Sequence, residues 1–136
     1  MANNGTINVL LQFTKNNIAT KSLAIAAAGF QTAGKDYQLA TMQVPVGGAG
    51  LAIPLGPLLT SPPTVLGEIL IKNNGPATDV IELLSAVSGT VLGRCSSGRC
   101  ILMELPAGVT VPAMVAVSTA SPPNSEVDAE YFILPV

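Results

Sequence analysis

A chain of 136 residues, 49% hydrophobic and 10% charged with a formal net charge of −2, is long enough to enclose one hydrophobic core. Its charge content lies well below the roughly 25% of ordinary soluble domains, which leaves either a neutral polar surface, partly supplied by Ser, Thr, Asn and Gln, or surface hidden against partners, the second being favoured. Six basic residues spread along the chain form no cluster that could track a phosphate backbone, and the absence of histidine excludes Ser-His and Cys-His nucleophile pairs.

The first periodic segment is Thr6–Thr14. Ile7, Val9, Leu11 and Phe13 share one face there, and Thr6, Asn8, Gln12 and Thr14 share the other, with Leu10 as the exception. This two-residue alternation is that of a strand. A second strand is expected near 18–27. Its Ala-rich part, Ser22–Phe30, has helical propensity, but a helix of nine residues is marginal in isolation, so the strand reading is kept. Residues 1–35 therefore read as N-terminal strands or an arm.

Further strands are predicted near 36–46, 66–72, 79–85, 88–93, 99–105 and 112–119. Turn chemistry separates them, as at Asn73-Asn74-Gly75-Pro76, Ser88-Gly89, Ser97-Gly98, Pro106-Ala107-Gly108 and Pro122-Pro123-Asn124. In the closing segment Val127, Ala129, Tyr131 and Ile133 oppose Asp128, Glu130, Phe132 and Leu134. Short strands joined by frequent turns predict an all-β fold: one β-sandwich domain over residues 1–136, of jelly-roll type.

Two long stretches, 37–67 and 105–125, carry no charge. Neither forms a membrane-spanning helix, because Pro45, Pro54, Pro57, Pro62 and Pro63 interrupt the first, and Pro106, Pro112, Pro122 and Pro123 the second. The start, MANNGTINVL, lacks the basic region and apolar core of a signal peptide, so synthesis in the cytoplasm is expected. The Gly/Pro-rich part, residues 46–64, is too apolar for a solvated linker and reads as an extended arm or loop. Its apolar residues Val46, Leu51, Ile53, Leu55, Leu58 and Leu59, with Arg94 and Arg99 farther along, are the candidate partner contacts.

Chemistry-bearing constellations are few. Gly47-Gly48-Ala49-Gly50 is glycine-rich, yet no Lys-Ser/Thr pair follows it, so it reads as a turn rather than a phosphate cradle. Glu126, Asp128 and Glu130 fall on one face of a strand. Calcium would need further oxygen ligands from another loop, and the plain reading is a solvated face that discourages edge-to-edge aggregation. Cys95 and Cys100 flank a short turn where a bridge is geometrically conceivable, but cytoplasmic synthesis favours reduced thiols. Two thiols without histidine do not complete a zinc site. No catalytic residue, metal or cofactor is expected.

The order of motifs from Asp36 onward resembles small β-sandwich structural proteins of tailed-bacteriophage virions. The motifs are Thr41-Met42-Gln43-Val44, Pro54-Leu55-Gly56, Gly67-Glu68-Ile69-Leu70-Ile71-Lys72-Asn73, Thr78-Asp79-Val80-Ile81-Glu82, Leu105-Pro106-Ala107-Gly108 and Val127-Asp128-Ala129-Glu130-Tyr131-Phe132-Ile133. The chain departs from those proteins between Gly89 and Cys100, where they have a plain hairpin, and in the proline content of Pro57–Pro63. The resemblance implies a non-enzymatic virion component: a capsid decoration (cement) protein on the shell surface, trimeric, with itself and the major capsid protein as partners. A head–tail connector, tail or fibre-base protein is the nearest alternative. A carbohydrate-binding module is a more distant one, disfavoured by the lack of tryptophan.

Overall fold

The computed structural model describes residues 38–58 and 66–135, together with the strand backbone at 3–5, 8–13, 21–26 and 30–32. Its contacts divide the chain into two compact units, Met1–Lys35 and Asp36–Val136. The boundary coincides with the end of the segment read as N-terminal strands.

In the first unit β1 (Asn3–Gly5) pairs with β4 (Phe30–Thr32), and β2 (Asn8–Phe13) pairs with β3 (Lys21–Ala26), all antiparallel. Lys21–Ala26 is a strand, the reading kept over a short Ala-rich helix.

The second unit contains β5 (Gln38–Pro45), β6 (Leu51–Ala52), β7 (Leu66–Asn73), β8 (Asp79–Leu84), β9 (Val91–Ser96), β10 (Cys100–Glu104), β11 (Ala113–Ser118) and β12 (Glu126–Pro135). They form two four-stranded antiparallel sheets, ordered β10-β7-β12-β5 and β6-β11-β8-β9. The fold is all-β, with no α-helix among the described residues, and the two sheets are consistent with a β-sandwich. Pairing is concentric along the chain: β5 with β12, β6 with β11, β7 with β10 and β8 with β9.

Alternation explains which side chains enter the core. Ile69 and Ile71 on β7, Val127, Ala129, Tyr131 and Ile133 on β12, Ile81 and Leu83 on β8, and Met114 and Ala116 on β11 belong to one buried cluster. That cluster draws on both sheets and is mostly aliphatic, as expected of a chain whose aromatic content is 4%. The β9 strand lies three residues later than predicted. Residues 85–90 are occupied by a turn in which the Gly89 amide donates to the Ala86 carbonyl, and Ser88 adopts positive φ.

The 46–64 stretch requires a correction. Ile53, Leu55 and Leu58 are not adhesive side chains of an arm but members of the core, each at most 3% exposed. Proline and glycine deny this segment a long strand, so its burial is not announced by periodicity. Instead, short anchors hold it. Ala52 and Leu51 pair with Ala113 and Met114, the Ile53 amide donates to the Pro112 carbonyl, and the Tyr131 hydroxyl donates to the Pro54 carbonyl at 2.7 Å. A 3-10 turn at Gly56–Leu58 then directs Leu58 inward. Leu59 and the rest of the stretch to residue 64 lie outside the described residues.

The glycine-rich turn at 47–50 is exposed over Gly47–Ala49 and packed at Gly50. The Ser88 amide donates to the Ala49 carbonyl at 2.8 Å, and the Cα of Gly50 lies so close to Leu84 that a Cβ would fall 2.9 Å from its Cδ1. With φ at +84°, Gly50 is held in the left-handed region that side chains avoid.

Two outcomes follow. Leu55→Ala is expected to destabilise the isolated protein by about 2–5 kcal/mol in urea unfolding, as a core truncation does and a surface-arm truncation does not. Gly50→Ala is expected to cost about 1–3 kcal/mol in the same assay, from positive φ and contact with Leu84.

Candidate functional site

Chemistry in the second unit is best sought where polar groups are buried and where apolar groups are exposed. Among the described residues the buried polar side chains are Asn73 and Asp79, both fully inaccessible. Asn73 ends β7, where the chain leaves one sheet for the other. Its Nδ2 donates to the carbonyls of Asp79 (3.0 Å) and Cys95 (2.9 Å), and its Oδ1 accepts from the Gly75 amide (2.8 Å). The Asn73 backbone adds two bonds to the 97–99 turn, donating to the Arg99 carbonyl and accepting from the Gly98 amide.

Asp79 begins β8 and reaches the connection between β11 and β12. Its carboxylate accepts from Thr78 Oγ1 at 3.0 Å and from Asn124 Nδ2 at 2.8 Å. A side-chain hydrogen bond with Ser118 is the main cause holding its pKa below the ordinary carboxylate value, aided by Asn124 and Thr78 and opposed by burial. No buried side-chain N or O atom among the described residues lacks a partner. Both groups thus hold connections between the sheets, and their bonding capacity is taken up within the fold.

The cysteines are free, Cys95 buried and Cys100 exposed. They do not flank one hairpin. Cys95 lies within β9 at the edge of one sheet, and Cys100 opens β10 at the edge of the other. The Cys95 thiol donates to the Arg99 carbonyl at 3.0 Å, and burial pushes its pKa up, which makes it a poor nucleophile.

The outward faces are more informative. On the sheet β10-β7-β12-β5, Leu102 pairs with Leu70, Leu70 with Phe132, and Phe132 with Leu39. Directly paired residues share a face, so these four form one apolar row across all four strands. Leu39 is 65% exposed and Leu102 39%, while Leu70 and Phe132 are half-buried. Acidic residues border the row. Glu104 and Glu68 pair on one side of it. Glu130, Asp128 and Glu126 follow on the other, all exposed as alternation indicated. Glu130 lies 3.5 Å from Lys72, and Gln43 Nε2 donates to Asp128 at 3.3 Å. No group of three or more potential ligands that could hold a metal ion occurs among the described residues.

On the other sheet a shallow open depression is lined by Val80, Glu82, Arg94, Ser96 and Val117. Arg94 Nε contacts Glu82 Oε1 at 2.8 Å, so this cation already has an acid on its own surface.

The predicted contact residues are therefore divided. Leu51, Arg94 and Arg99 are exposed and Val46 is half-buried, whereas Ile53, Leu55 and Leu58 are core. The row of Leu39, Leu70, Leu102 and Phe132 had not been singled out in the sequence. Its only signal is an apolar residue at an outward position of each strand, and cross-strand register is needed to align them. Tyr131, the aromatic a sugar site would favour, is 1% exposed.

Comparison with protein-family models, curated proteins and solved structures finds no match for the chain.

The lowered pKa of Asp79 sets a pH dependence. Its contribution to stability is fully present above the unfolded value of about 3.9 and is lost as pH falls through the lower folded value. Asp79→Asn is expected to lower the melting temperature at pH 7, and the gap to the parent protein to narrow below about pH 4. Calorimetry across that range is the check.

Proposed function

We propose that this chain is a non-enzymatic virion structural protein, a capsid decoration protein that associates with copies of itself as a trimer and packs on the major capsid protein at the shell surface. The observation that carries this reading is the apolar row Leu39–Phe132–Leu70–Leu102 on a sheet face, exposed at its ends Leu39 and Leu102. Exposed apolar surface of this kind marks interaction sites. The full use of Asn73 and Asp79 within the fold supports a structural rather than a chemical role.

The finer fold assignment is a jelly roll. Concentric pairing of β5 with β12, β6 with β11, β7 with β10 and β8 with β9 supports it, since a long hairpin wound into two sheets has that order. Jelly rolls recur in viral shell proteins, which supports a virion role by analogy of architecture alone. Repetition over a shell makes modest contacts hold collectively.

Light scattering of the purified protein, with and without expanded phage capsids, is the test. A trimer that co-sediments with capsids on the order of hundreds of copies per shell is expected from a symmetric oligomer on a repeating lattice. A monomer that ignores capsids overturns the reading. A stoichiometry of about a dozen copies replaces decoration with a head–tail connector on the same symmetry argument.

A further inference from the structure

Each four-stranded sheet ends in two edge strands, and the four edges differ in how they are protected. β6 is two residues long, and β9 carries Arg94 and meets a register shift against β8. β10 is preceded by Arg99 and ends on Glu104. Shortness, charge and bulges are the usual guards against pairing with another chain. β5 has none of them over residues 38–44: it is eight residues long, uncharged, and meets a proline only at its end, Pro45. The acids Glu126, Asp128 and Glu130, expected to discourage edge pairing, lie on β12, which is an inner strand.

Register identifies which backbone groups of β5 face away from the sheet. The Val46 amide donates to the Ser125 carbonyl at 3.0 Å, which extends the β5–β12 ladder one pair beyond Pro45 and Glu126. In an antiparallel ladder, directly opposed pairs alternate between bonded and non-bonded. The residues bonded to β12 are therefore Val44, Met42, Ala40 and Gln38, and the N–H and C=O groups of Leu39, Thr41 and Gln43 point to the open edge. The far side of β12 agrees. The Asn74 amide donates to the Asp128 carbonyl at 2.9 Å, so Asp128 bonds toward β7 and not toward its β5 partner, Gln43. Pro45 falls in the edge-facing set, where its missing N–H costs the ladder nothing. No described strand pairs with β5 on that side.

We propose that the β5 edge is a twofold contact with β5 of a second copy of this chain, paired antiparallel and centred on Thr41. Leu39 then opposes Gln43 of the second copy, and the two Thr41 residues oppose each other, a favoured cross-strand pair. Three amides on each copy meet three carbonyls on the other, about six hydrogen bonds in all. A register centred one position later sets the Leu39 carbonyl against Pro45, which has no N–H to give. A second copy fits this edge because an antiparallel edge is complementary to itself and because β5 brings no charge to it. The nearest facing acids are on the two β12 strands, three strand spacings or about 14 Å apart, beyond the screening length of about 8 Å. The contact is isologous, so it joins copies in pairs. It needs neither a shell nor a threefold axis, so its failure and that of the virion reading are distinguishable.

The test uses full-length protein with the exposed native thiol removed. In Thr41→Cys/Cys100→Ser the two introduced thiols sit on Cα atoms about 5.5 Å apart across the axis, within reach of a disulfide. Oxidised glutathione takes two electrons and two protons from each thiol pair, giving one S–S bond and two reduced glutathiones. Thr110→Cys/Cys100→Ser, changed at an exposed site outside β5, sets the rate of chance collision. Linked dimers on a denaturing, non-reducing gel are expected to form about tenfold faster from the Thr41 variant, because pairing raises the local thiol concentration. Equal rates overturn the proposal and leave the edge to a strand of another protein. Thr41→Lys sets two like charges against each other at an exposed position and is expected to keep its melting transition. In concentrated solution the parent protein is expected to scatter with twice the mass of this variant, whatever other contact the copies make. Equal masses overturn the proposal as well.

Discussion

The architecture of the second unit depends on one buried amide. Asn73 stands where β7 ends, and its side chain bonds the start of β8, the end of β9 and the turn at Gly75 together. Every consecutive pair from β5 to β12 except β8–β9 changes sheet, so the fold is held at its crossings as much as along its ladders. Crossings leave backbone carbonyls and amides without ladder partners, and a buried one left unpaired costs about 1–3 kcal/mol. Asn73 supplies the missing partners from a single side chain with two donors and an acceptor. Asp79 ties the start of β8 to the end of β11 and to the β11–β12 connection by side-chain bonds instead, with Thr78, Ser118 and Asn124. A sandwich with an aliphatic core has little else to specify how its loops close, since aliphatic packing is tolerant and hydrogen bonds are directional.

With buried polar groups engaged in this way, outward surfaces are left to act on other molecules. The two sheets differ outside as much as they agree inside. On one, Glu82 and Arg94 neutralise each other beside Val80 and Val117. On the other, five acids surround an apolar row and one lysine answers them. Like charges gathered on one face oppose its stacking on a second copy of itself.

Much of this was legible in the residues. Alternation placed the strands at 38–45, 66–73, 79–84, 100–104 and 113–118 to within a few residues, and put Val127, Ala129, Tyr131 and Ile133 inside with Asp128 and Glu130 outside. Those are properties of one strand and need no partner to be read. The 46–58 segment was misread for the complementary reason. Its prolines and glycines break the period, so the burial of Ile53, Leu55 and Leu58 rests on Tyr131, Pro112 and β11, which are distant in sequence. Ser88-Gly89, read as a turn, is one and contacts Ala49, but the strand expected from near 88 begins only at Val91.

By itself, then, the sequence determined the all-β class, the inward and outward sides of individual strands and the scarcity of charge. Tertiary structure alone decided that Asn73 and Asp79 are buried hubs, that Ile53, Leu55 and Leu58 of the Gly/Pro segment are core, and that Leu39, Leu70, Leu102 and Phe132 form one row. The physical reason is the difference between period and register. A side chain's face follows from its own strand's geometry, but its neighbours follow from hydrogen bonds to strands up to ninety-odd residues away, and no local pattern encodes that pairing.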